Sequence, residues 1–247
     1  LNNLFYADKN SDLESQLVKS VLDKNGYQAD RVGLHASAII VADTKFCLRE
    51  QVLSLFFKMS QGENLPVKQK RVFEEGNAIH EKWQRLFVRG GIGDIDDMDR
   101  SRYVKKYHLT FSPDASPLHI CNKDWVCEIK SMNMFAYNKA NDHPSGRHQL
   151  QLYMHFTGIH NGFILAEDKN TQNFKIFVHH YNYDEVESYI DRLESVKQNA
   201  IRFIKEGKMV KRCKQCTSAT CKRAKECNMC AACWNVGIGR IRLKEIA

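Results

Sequence analysis

The sequence predicts a mixed α/β fold, with a β-sheet core flanked by helices, a helical segment before the core and a cysteine-rich tail after it. Apolar residues recur with a helical period on both sides of a central region in which the period is two. Six of the nine cysteines fall within residues 213–233. We divide the 247 residues into a helical segment (1–70), a core (71–183) and a final helix with the tail (184–247).

The first 90 residues have the apolar spacing of amphipathic helices. Residues 12–22 place leucine and valine on one stripe, behind an aspartate that can cap a helix. A second helical pattern covers residues 44–59 and contains Cys47. A third covers residues 71–90 and ends at a Gly-Gly pair, which is typical of a helix end.

From about Tyr103 the apolar period changes to two, which indicates strands. The predicted elements are strands at 103–111, 117–121 and 124–131, a helix at 146–158, a hairpin at 162–168 and 173–181, and a long helix from a capping box at Asp184 to about Gly207. Cys121 and Cys127 lie in this strand-like sequence, and we expect both to be buried as small apolar residues.

The chain carries a formal net charge of +8 and a pI of about 9.0, which suits a polyanionic partner such as nucleic acid. No apolar run approaches the roughly 20 residues of a membrane-spanning helix, and the first residues lack a signal-peptide pattern. We therefore expect no membrane partner and a reducing, cytoplasmic location. In that compartment, closely spaced cysteines bind metal rather than form disulfides.

Three charged residues of the predicted strands are candidates for one metal site. Asp114 follows Pro113 in a turn, and Glu128 and Lys130 are two positions apart, so they project from one face of a strand. A hairpin can bring the two carboxylates together. Their oxygens suit a hard cation such as Mg²⁺ or Mn²⁺, and a lysine beside it can orient a water or stabilise phosphoryl charge. A solvated surface hairpin is the alternative.

Two polar pairs flank this stretch, each at helical spacing. His80 lies four residues after Gly76, and neutral imidazole is a good metal ligand. Gln149 and Tyr153 are also four residues apart, on a helix that follows the strand, where they can hold a phosphate. Either pair can instead be structural. A further acidic stretch, about thirty residues before Glu128, is interpreted as an acidic loop; it contains Asp94, Asp96, Asp97 and Asp99.

In their order along the chain, these motifs resemble those of the PD-(D/E)XK nucleases, specifically the RecB-type exonuclease branch. The series is Gly-x-x-x-His at 76–80, Pro-Asp at 113–114, Glu-x-Lys at 128–130 and Gln-x-x-x-Tyr at 149–153. The resemblance covers about residues 37–233. It implies a restriction-endonuclease-like core, in which a mixed sheet is flanked by helices.

The resemblance also implies roles for the residues at the matching positions. The implied ligands of Mg²⁺ or Mn²⁺ are His80, Asp114, Glu128 and the backbone carbonyl of Ile129. Lys130 is the implied catalytic lysine, which positions a water for in-line attack on the phosphodiester. Gln149 and Tyr153 are implied to contact DNA or to brace the site.

A subgroup of this branch, which includes the CRISPR-associated nucleases and the AddB subunit, carries an iron–sulfur cluster held by one N-terminal and three C-terminal cysteines. Cys47 resembles the N-terminal ligand. The tail departs from the subgroup, which usually has three cysteines there, because it contains Cys213, Cys216, Cys221, Cys227, Cys230 and Cys233. Two C-x2-C pairs also suit tetrahedral zinc. A [4Fe–4S] cluster and a zinc site, with four ligands from these seven cysteines, both remain open.

The leading hypothesis is a divalent-metal-dependent DNA exonuclease that acts on single strands or free DNA ends. DNA recombination and repair, phage DNA metabolism and CRISPR adaptation all use this chemistry. Further copies of the chain, nuclease or helicase subunits and CRISPR adaptation proteins are therefore candidate partners. One alternative is a zinc- or iron–sulfur-stapled nucleic-acid-binding module with vestigial nuclease motifs. Another is an RNA-directed or sequence-specific endonuclease.

Overall fold

The computed structural model describes residues 33–57 and 67–235, and the strands in these ranges form two sheets flanked by helices. This arrangement confirms the predicted mixed α/β class. The helix predicted at 12–22 lies outside the described residues. None of the helices in the two described ranges is long and apolar enough to cross a membrane.

Seven strands divide into a small and a large sheet within the described ranges. In chain order they are β1 (Leu34–His35), β2 (Arg102–Val104), β3 (Leu109–Phe111), β4 (Ala115–Ile120), β5 (Lys123–Met132), β6 (Asn161–Asp168) and β7 (Phe174–His180). The small sheet has the order β1-β3-β2, and the large sheet has the order β4-β5-β6-β7. Helices connect these strands and cover the sheets.

The described helices differ greatly in length. In chain order they are α1 (Ala36–Ile39), α2 (Leu48–Ser54), α3 (Val67–Arg89), α4 (Met134–Lys139), α5 (Pro144–Thr157), α6 (Tyr183–Glu206), α7 (Lys222–Lys225) and α8 (Cys230–Asn235). The helix predicted at 44–59 is shorter in the structure, where α2 begins at Leu48 and ends at Ser54. The long helix α6 begins before Asp184, because the side chain of Asn182 is its N-cap and accepts a hydrogen bond from the Asp184 N–H at 3.1 Å.

The large sheet is mixed, and its two central strands are parallel. β5 pairs parallel with β6, while β4 and β7 pair antiparallel at the two edges. A parallel pair needs a crossover connection, and α4 and α5 supply it between β5 and β6. Seven consecutive residues of β6 are buried, as expected for a strand covered on both faces. β5 lies next to it and carries the Glu-x-Lys motif.

Two hydrophobic clusters cover the opposite faces of the large sheet. One packs α5 and α6 against the face that includes Val126 and Ile164. The other packs α3 against the face that includes Ile129 and Leu165. Because neighbouring residues of a strand point to opposite faces, Glu128 and Lys130 project toward the α5 side while Ile129 is buried toward α3. This confirms the predicted alternation.

Two details of the predicted strand region are wrong. The strand predicted at 103–111 is broken into β2 and β3, which pair antiparallel around a turn in which His108 has a φ of 52°. Cys121 is exposed, because it lies in the tight turn between β4 and β5 with a φ of 51°. Cys127, in contrast, is fully buried as predicted. Alternating sequence thus predicted extended backbone but did not reveal where it turns.

Candidate active site

The turn before β4 and the middle of β5 bring two carboxylates together. The Ile129 N–H donates to Asp114 Oδ2 at 2.5 Å, so Asp114 is held against the residue that follows Glu128. Asp114 is 7% exposed and Glu128 is 1% exposed. Burying two carboxylates this deeply is costly without compensating positive charge. The structure thus brings together the two acidic residues that the sequence predicted to share a site.

His80 reaches the same point from α3. Its Nδ1 lies 3.1 Å from Asp114 Oδ1, so Asp114 contacts α3 with one oxygen and β5 with the other. Burial lowers the pKa of His80, but the hydrogen bond and charge of Asp114 and the charge of Glu128 more than offset this, and the pKa is raised overall. The imidazole is therefore positioned by a carboxylate and can act as a metal ligand.

A buried salt bridge between β6 and α3 sets the position of this helix. Glu167, on β6, is 1% exposed and accepts hydrogen bonds from Lys82 Nζ and Trp83 Nε1, each at 2.5 Å. Both donors lie in the turn of α3 that follows His80. Because a buried carboxylate must keep its partners, these bonds fix the rotation of α3 about its axis. The ring of His80 consequently faces Asp114.

Glu128 and Lys130 form an ion pair through Glu128 Oε1. Burial and the charge of Asp114 raise the pKa of Glu128 to about 8, although Lys130 opposes this shift. The second carboxylate oxygen, Oε2, is buried and has no hydrogen-bond partner. A buried oxygen without a partner is expensive, and a bound cation would satisfy it. The donor set of imidazole nitrogen and carboxylate oxygens fits a hard divalent cation.

Lys130 is linked to the Gln-x-x-x-Tyr motif on α5. Its Nζ donates to Gln149 Oε1 at 3.3 Å, and Gln149 Nε2 donates to the Tyr153 hydroxyl at 2.7 Å. Tyr153 is 1% exposed and packs in the core beneath the site. It therefore cannot contact a substrate, and its position suits the bracing role. Gln149 is half-buried and lines an open cleft.

Two glycines near the site differ in what they allow. A Cβ at Gly146 would lie 2.9 Å from His143 Nδ1 and 3.4 Å from Lys130 Cε, so only glycine lets the first turn of α5 lie this close to the lysine. No motif in the sequence marks Gly146. A Cβ at Gly76 would lie 3.6 Å from Ser131 Oγ, which is ordinary contact. The packing around Gly76 therefore does not require glycine.

Asp99 was assigned to an acidic loop remote from the site, and the structure corrects this placement. Ligand atoms of His80, Asp99 and Asp114 all lie within 4.8 Å of one another. The Asp99 N–H donates to the Asp114 carbonyl at 3.2 Å, and Met98 pairs with Ala115, so the loop folds back along the start of β4. Sequence distance misled the interpretation, because the acidic loop lies beside Asp114 rather than beside Glu128.

The cysteines of the tail meet Cys47 at the start of α2. A small cavity is lined by five of the seven candidate cysteines, namely Cys47, Cys213, Cys216, Cys227 and Cys233. Burial raises the pKa of Cys47 to about 11 and that of Cys227 to about 12. The tail is anchored to α2 by Arg49, whose Nη2 donates to the Cys233 carbonyl at 3.1 Å. The structure thus brings Cys47 and the tail together.

Cys221 and Cys230 do not line this cavity. Cys221 Sγ accepts a hydrogen bond from the Ala224 N–H at 3.4 Å as the N-cap of α7, and backbone hydrogen bonds lower its pKa to about 7. Cys230 Sγ lies 3.5 Å from the Ala219 carbonyl. Both thiols are therefore engaged with neighbouring backbone, and the pool of thiols that face the cavity falls from seven to five.

No family model and no curated protein sequence matches this chain. Among solved structures, that of SSO0001 is 14% identical, with 94% of this chain and 98% of that chain covered and a TM-score of 0.47. The alkaline exonuclease LHK-Exo from Laribacter hongkongensis is 12% identical, with 72% of this chain and 92% of that chain covered and a TM-score of 0.48. A phage-related exonuclease from Haemophilus somnus 129PT is 15% identical, covering 72% and 97%, with a TM-score of 0.49. Likenesses this distant do not transfer an activity, so function is argued from the residues of this chain.

Proposed function

We propose that this chain is a divalent-metal-dependent DNA exonuclease that hydrolyses phosphodiester bonds. The observation that supports this best is the convergence of His80, Asp114, Glu128 and Lys130 at one end of the β4-β5 pair. These residues come from one helix, one turn and one strand, and each contacts another member of the set. A buried oxygen of Glu128 that has no partner adds to the case for a cation at this point.

The proposed cation ligands are His80, Asp114, Glu128 and the carbonyl of Ile129, with Mg²⁺ or Mn²⁺ as the ion. When bound, such a cation polarises a phosphoryl oxygen and lowers the pKa of a coordinated water. The protein holds the two carboxylates and the imidazole in place through hydrogen bonds that exist before any cation binds. This preorganisation means that little free energy is lost in ordering the ligands.

Lys130 is the proposed catalytic lysine. Glu128 and Gln149 hold its ammonium group, and contact with Glu128 raises its pKa despite burial, so the group is charged at neutral pH. A fixed positive charge beside a reacting phosphate can stabilise the negative charge that develops in the transition state. Tyr153 orients Gln149 and so acts on Lys130 indirectly, as a positioning residue.

The proposed substrate is DNA that is single-stranded or has free ends. The net charge of +8 favours a polyanion. An open cleft lies beside Gln149, and its lining includes Lys45, His148, Tyr189 and Arg192, the last of which is paired with Asp43 in the same cleft. Cationic side chains together with ring systems suit an unpaired strand, which presents both phosphates and bases.

The activity is tested with end-labelled linear and circular single-stranded DNA in the presence of Mn²⁺ or Mg²⁺. We expect degradation of the linear strand only, abolished by EDTA. Lys130→Ala and Asp114→Asn should each lower the rate by about 10²- to 10⁴-fold, while Glu75→Gln, in an exposed ion pair on α3, should leave it unchanged. Cleavage of the circle would favour an endonuclease. Retarded but intact DNA would favour the nucleic-acid-binding alternative.

For the tail we propose a [4Fe–4S] cluster held by Cys47, Cys213, Cys216 and Cys227, with zinc as the alternative. These four thiols line one cavity together, which supports their assignment to one cluster. Cys233 Sγ accepts a hydrogen bond from Arg49 Nε at 3.2 Å, which assigns it to anchoring.

Thiol spacing supports the cluster over zinc. Tetrahedral Zn–S bonds of about 2.3 Å place the sulfurs within roughly 4 Å of one another. Among the side chains that the structure describes, the one group with three ligand atoms within 4.8 Å is His80, Asp99 and Asp114, so no three described thiols lie as close together as the ligands of one zinc ion. Analysis of iron, sulfide and zinc in anaerobically purified protein tests this. Iron and sulfide with a brown colour are expected, and zinc alone would contradict it.

The proposed activity suggests three biological pathways and a set of protein partners. An exonuclease with a metal-stapled tail suits DNA recombination and repair, phage DNA metabolism or CRISPR adaptation. In each, further copies of the chain or helicase and nuclease subunits would be the protein partners. A pull-down with linear single-stranded DNA as bait, compared with duplex circles, would show whether substrate ends recruit them.

A further inference from the structure

Asp99 occupies a position that the motif series does not explain. One of its carboxylate oxygens lies within 4.8 Å of ligand atoms of both His80 and Asp114. Asp99 lies outside β4 and β5, in the loop that follows α3. We infer that Asp99 is a further ligand of the divalent cation at the proposed active site, which makes this inference dependent on the proposed function.

The backbone at Asp99 is held in an uncommon conformation. Its φ is 48°, in the left-handed region, which aspartate and asparagine tolerate better than most residues other than glycine. The N–H of Asp99 is bonded to the Asp114 carbonyl at 3.2 Å. The loop is therefore tied to the residue whose carboxylate it faces, and the two aspartates cannot move apart independently.

Gln84 lies beside both aspartates. This glutamine lies one turn after His80 on α3 and is 7% exposed. Its amide Nε2 donates to the Asp114 carbonyl at 2.9 Å, and its side chain opposes the rise that burial causes in the pKa of Asp99. One buried amide thus links the Asp114–Asp99 region to the helix that carries the histidine. Such outer contacts are typical of groups that orient metal ligands.

The buried carboxyl groups of the site give a second argument for a bound cation, separate from the position of Asp99. Glu128, which is 1% exposed, has a buried Oε2 without a hydrogen-bond partner, and it is close enough to His80 and Asp114 to alter the pKa of His80. With Asp99 included, three carboxyl groups lie near one ammonium, that of Lys130. A divalent cation would compensate the negative charge of these groups when they are ionised.

The other acidic residues of this loop do not share the position of Asp99. Asp94 accepts a hydrogen bond from the Asp96 N–H at 3.1 Å as the cap of a short 3-10 turn, Ile95–Asp97. Asp97 Oδ1 lies 3.6 Å from Arg100 Nη1. Asp96 is exposed and belongs to no group of three ligand atoms within the described ranges. Asp96 therefore provides a matched control: the same residue type, loop and charge.

The test is Mn²⁺ binding to the intact protein, measured by titration calorimetry without DNA. Asp99→Asn keeps the size and tolerates the left-handed φ, while Asp99→Gly favours that φ but removes every side-chain oxygen. We expect Asp99→Asn to weaken Mn²⁺ binding about tenfold and Asp99→Gly about 100-fold. Asp96→Asn should bind like the wild type. A purely structural role would leave Mn²⁺ affinity unchanged, since glycine suits the backbone best.

The outcomes separate this inference from the proposed function. Wild-type Mn²⁺ affinity in both Asp99 variants, together with loss of binding in Asp114→Asn, would overturn the role of Asp99 and leave the proposed nuclease site intact. Absence of Mn²⁺ binding by the wild-type protein would overturn both. Circular dichroism and the Tm in EDTA, expected to match the wild type for Asp99→Gly, exclude misfolding as the cause of weaker binding.

Discussion

The candidate active site and the cysteine cavity bring distant residues together in different ways. In the candidate active site, His80, Asp114, Glu128 and Lys130 lie within about fifty residues of chain. They contact one another in two pairs, which the hydrogen bond from the Ile129 N–H to Asp114 links. In the cavity, Cys47 meets thiols more than 160 residues later in the chain. The fold therefore assembles the first site, whereas a metal in the second would help to assemble the fold. Losing metal should affect activity at one site and stability at the other.

The largest expected effect is on stability, at the cavity. Cys47→Ser should remove the tail metal and lower the free energy of unfolding strongly, because structural metal sites contribute on the order of 10 kcal/mol. Cys121→Ser, at an exposed thiol in the β4-β5 turn, should change neither quantity. Metal content and chemical denaturation of the two variants measure this. Equal stability of both variants would contradict the conclusion that metal binding by the tail stabilises the fold.

The second-largest effect is expected at the active site, where a substitution should reduce activity and leave the fold intact. Glu128→Gln should lower Mn²⁺-dependent DNA degradation by about 10²- to 10⁴-fold, yet the metal-free protein should remain folded. Glutamine keeps an acceptor for Lys130 and removes a charge that is buried at a cost. Rates with labelled DNA and the Tm in EDTA are the measurements. A Tm well below that of the wild type would show that the fold needs this carboxylate.

The same residue predicts a pH dependence of the metal-free protein. The pKa of Glu128 is about 8 in the folded chain and near 4.5 in the unfolded chain, so the folded state binds the extra proton between these values. Stability must then fall as pH rises from about 5 to 8, by an amount on the order of a few kcal/mol. The stability of the Glu128→Gln variant should not decrease in this way between pH 5 and pH 8. Denaturation in EDTA at pH 5 and pH 8 checks it, and parallel curves for both proteins would contradict it.

The smallest expected effects compare two helix glycines. Gly146→Ala places a Cβ 2.9 Å from His143 Nδ1 and close to Lys130, so we expect activity to fall about tenfold and stability by about 1 kcal/mol. Gly76→Ala meets only ordinary contacts and should stabilise α3 by up to about 1 kcal/mol with activity retained. Rates and Tm values for the pair decide it. Inactive but stable Gly76→Ala would show that the motif glycine has a role besides packing.

The sequence allowed the order of elements and much of the site to be predicted. Alternation placed Glu128 and Lys130 on one face of a strand, and helical spacing placed Gln149 and Tyr153 on one face of α5; both placements are seen. These predictions succeeded because they depend on periods of two and of about four residues, which the backbone imposes locally.

The remaining features depend on contacts between segments that no local period encodes. Asp99 reaches the site because a loop folds back along β4, and Cys121 is exposed because a turn falls at that residue. The selection of five thiols from seven arises from the way the tail packs on α2. One signal was available and not used: Gln84 continues the four-residue spacing of Gly76 and His80 on α3.

The pairing of Glu167 with Lys82 and Trp83 has a consequence for how this chain can vary. Each residue added to or deleted from a helix rotates everything beyond it by about 100°. A single insertion between His80 and Trp83 would therefore turn the imidazole away from Asp114 or leave Glu167 buried without its partners. Changes of length should be tolerated before His80 but not between His80 and Gln84, so that the spacing of these residues is as constrained as their identity.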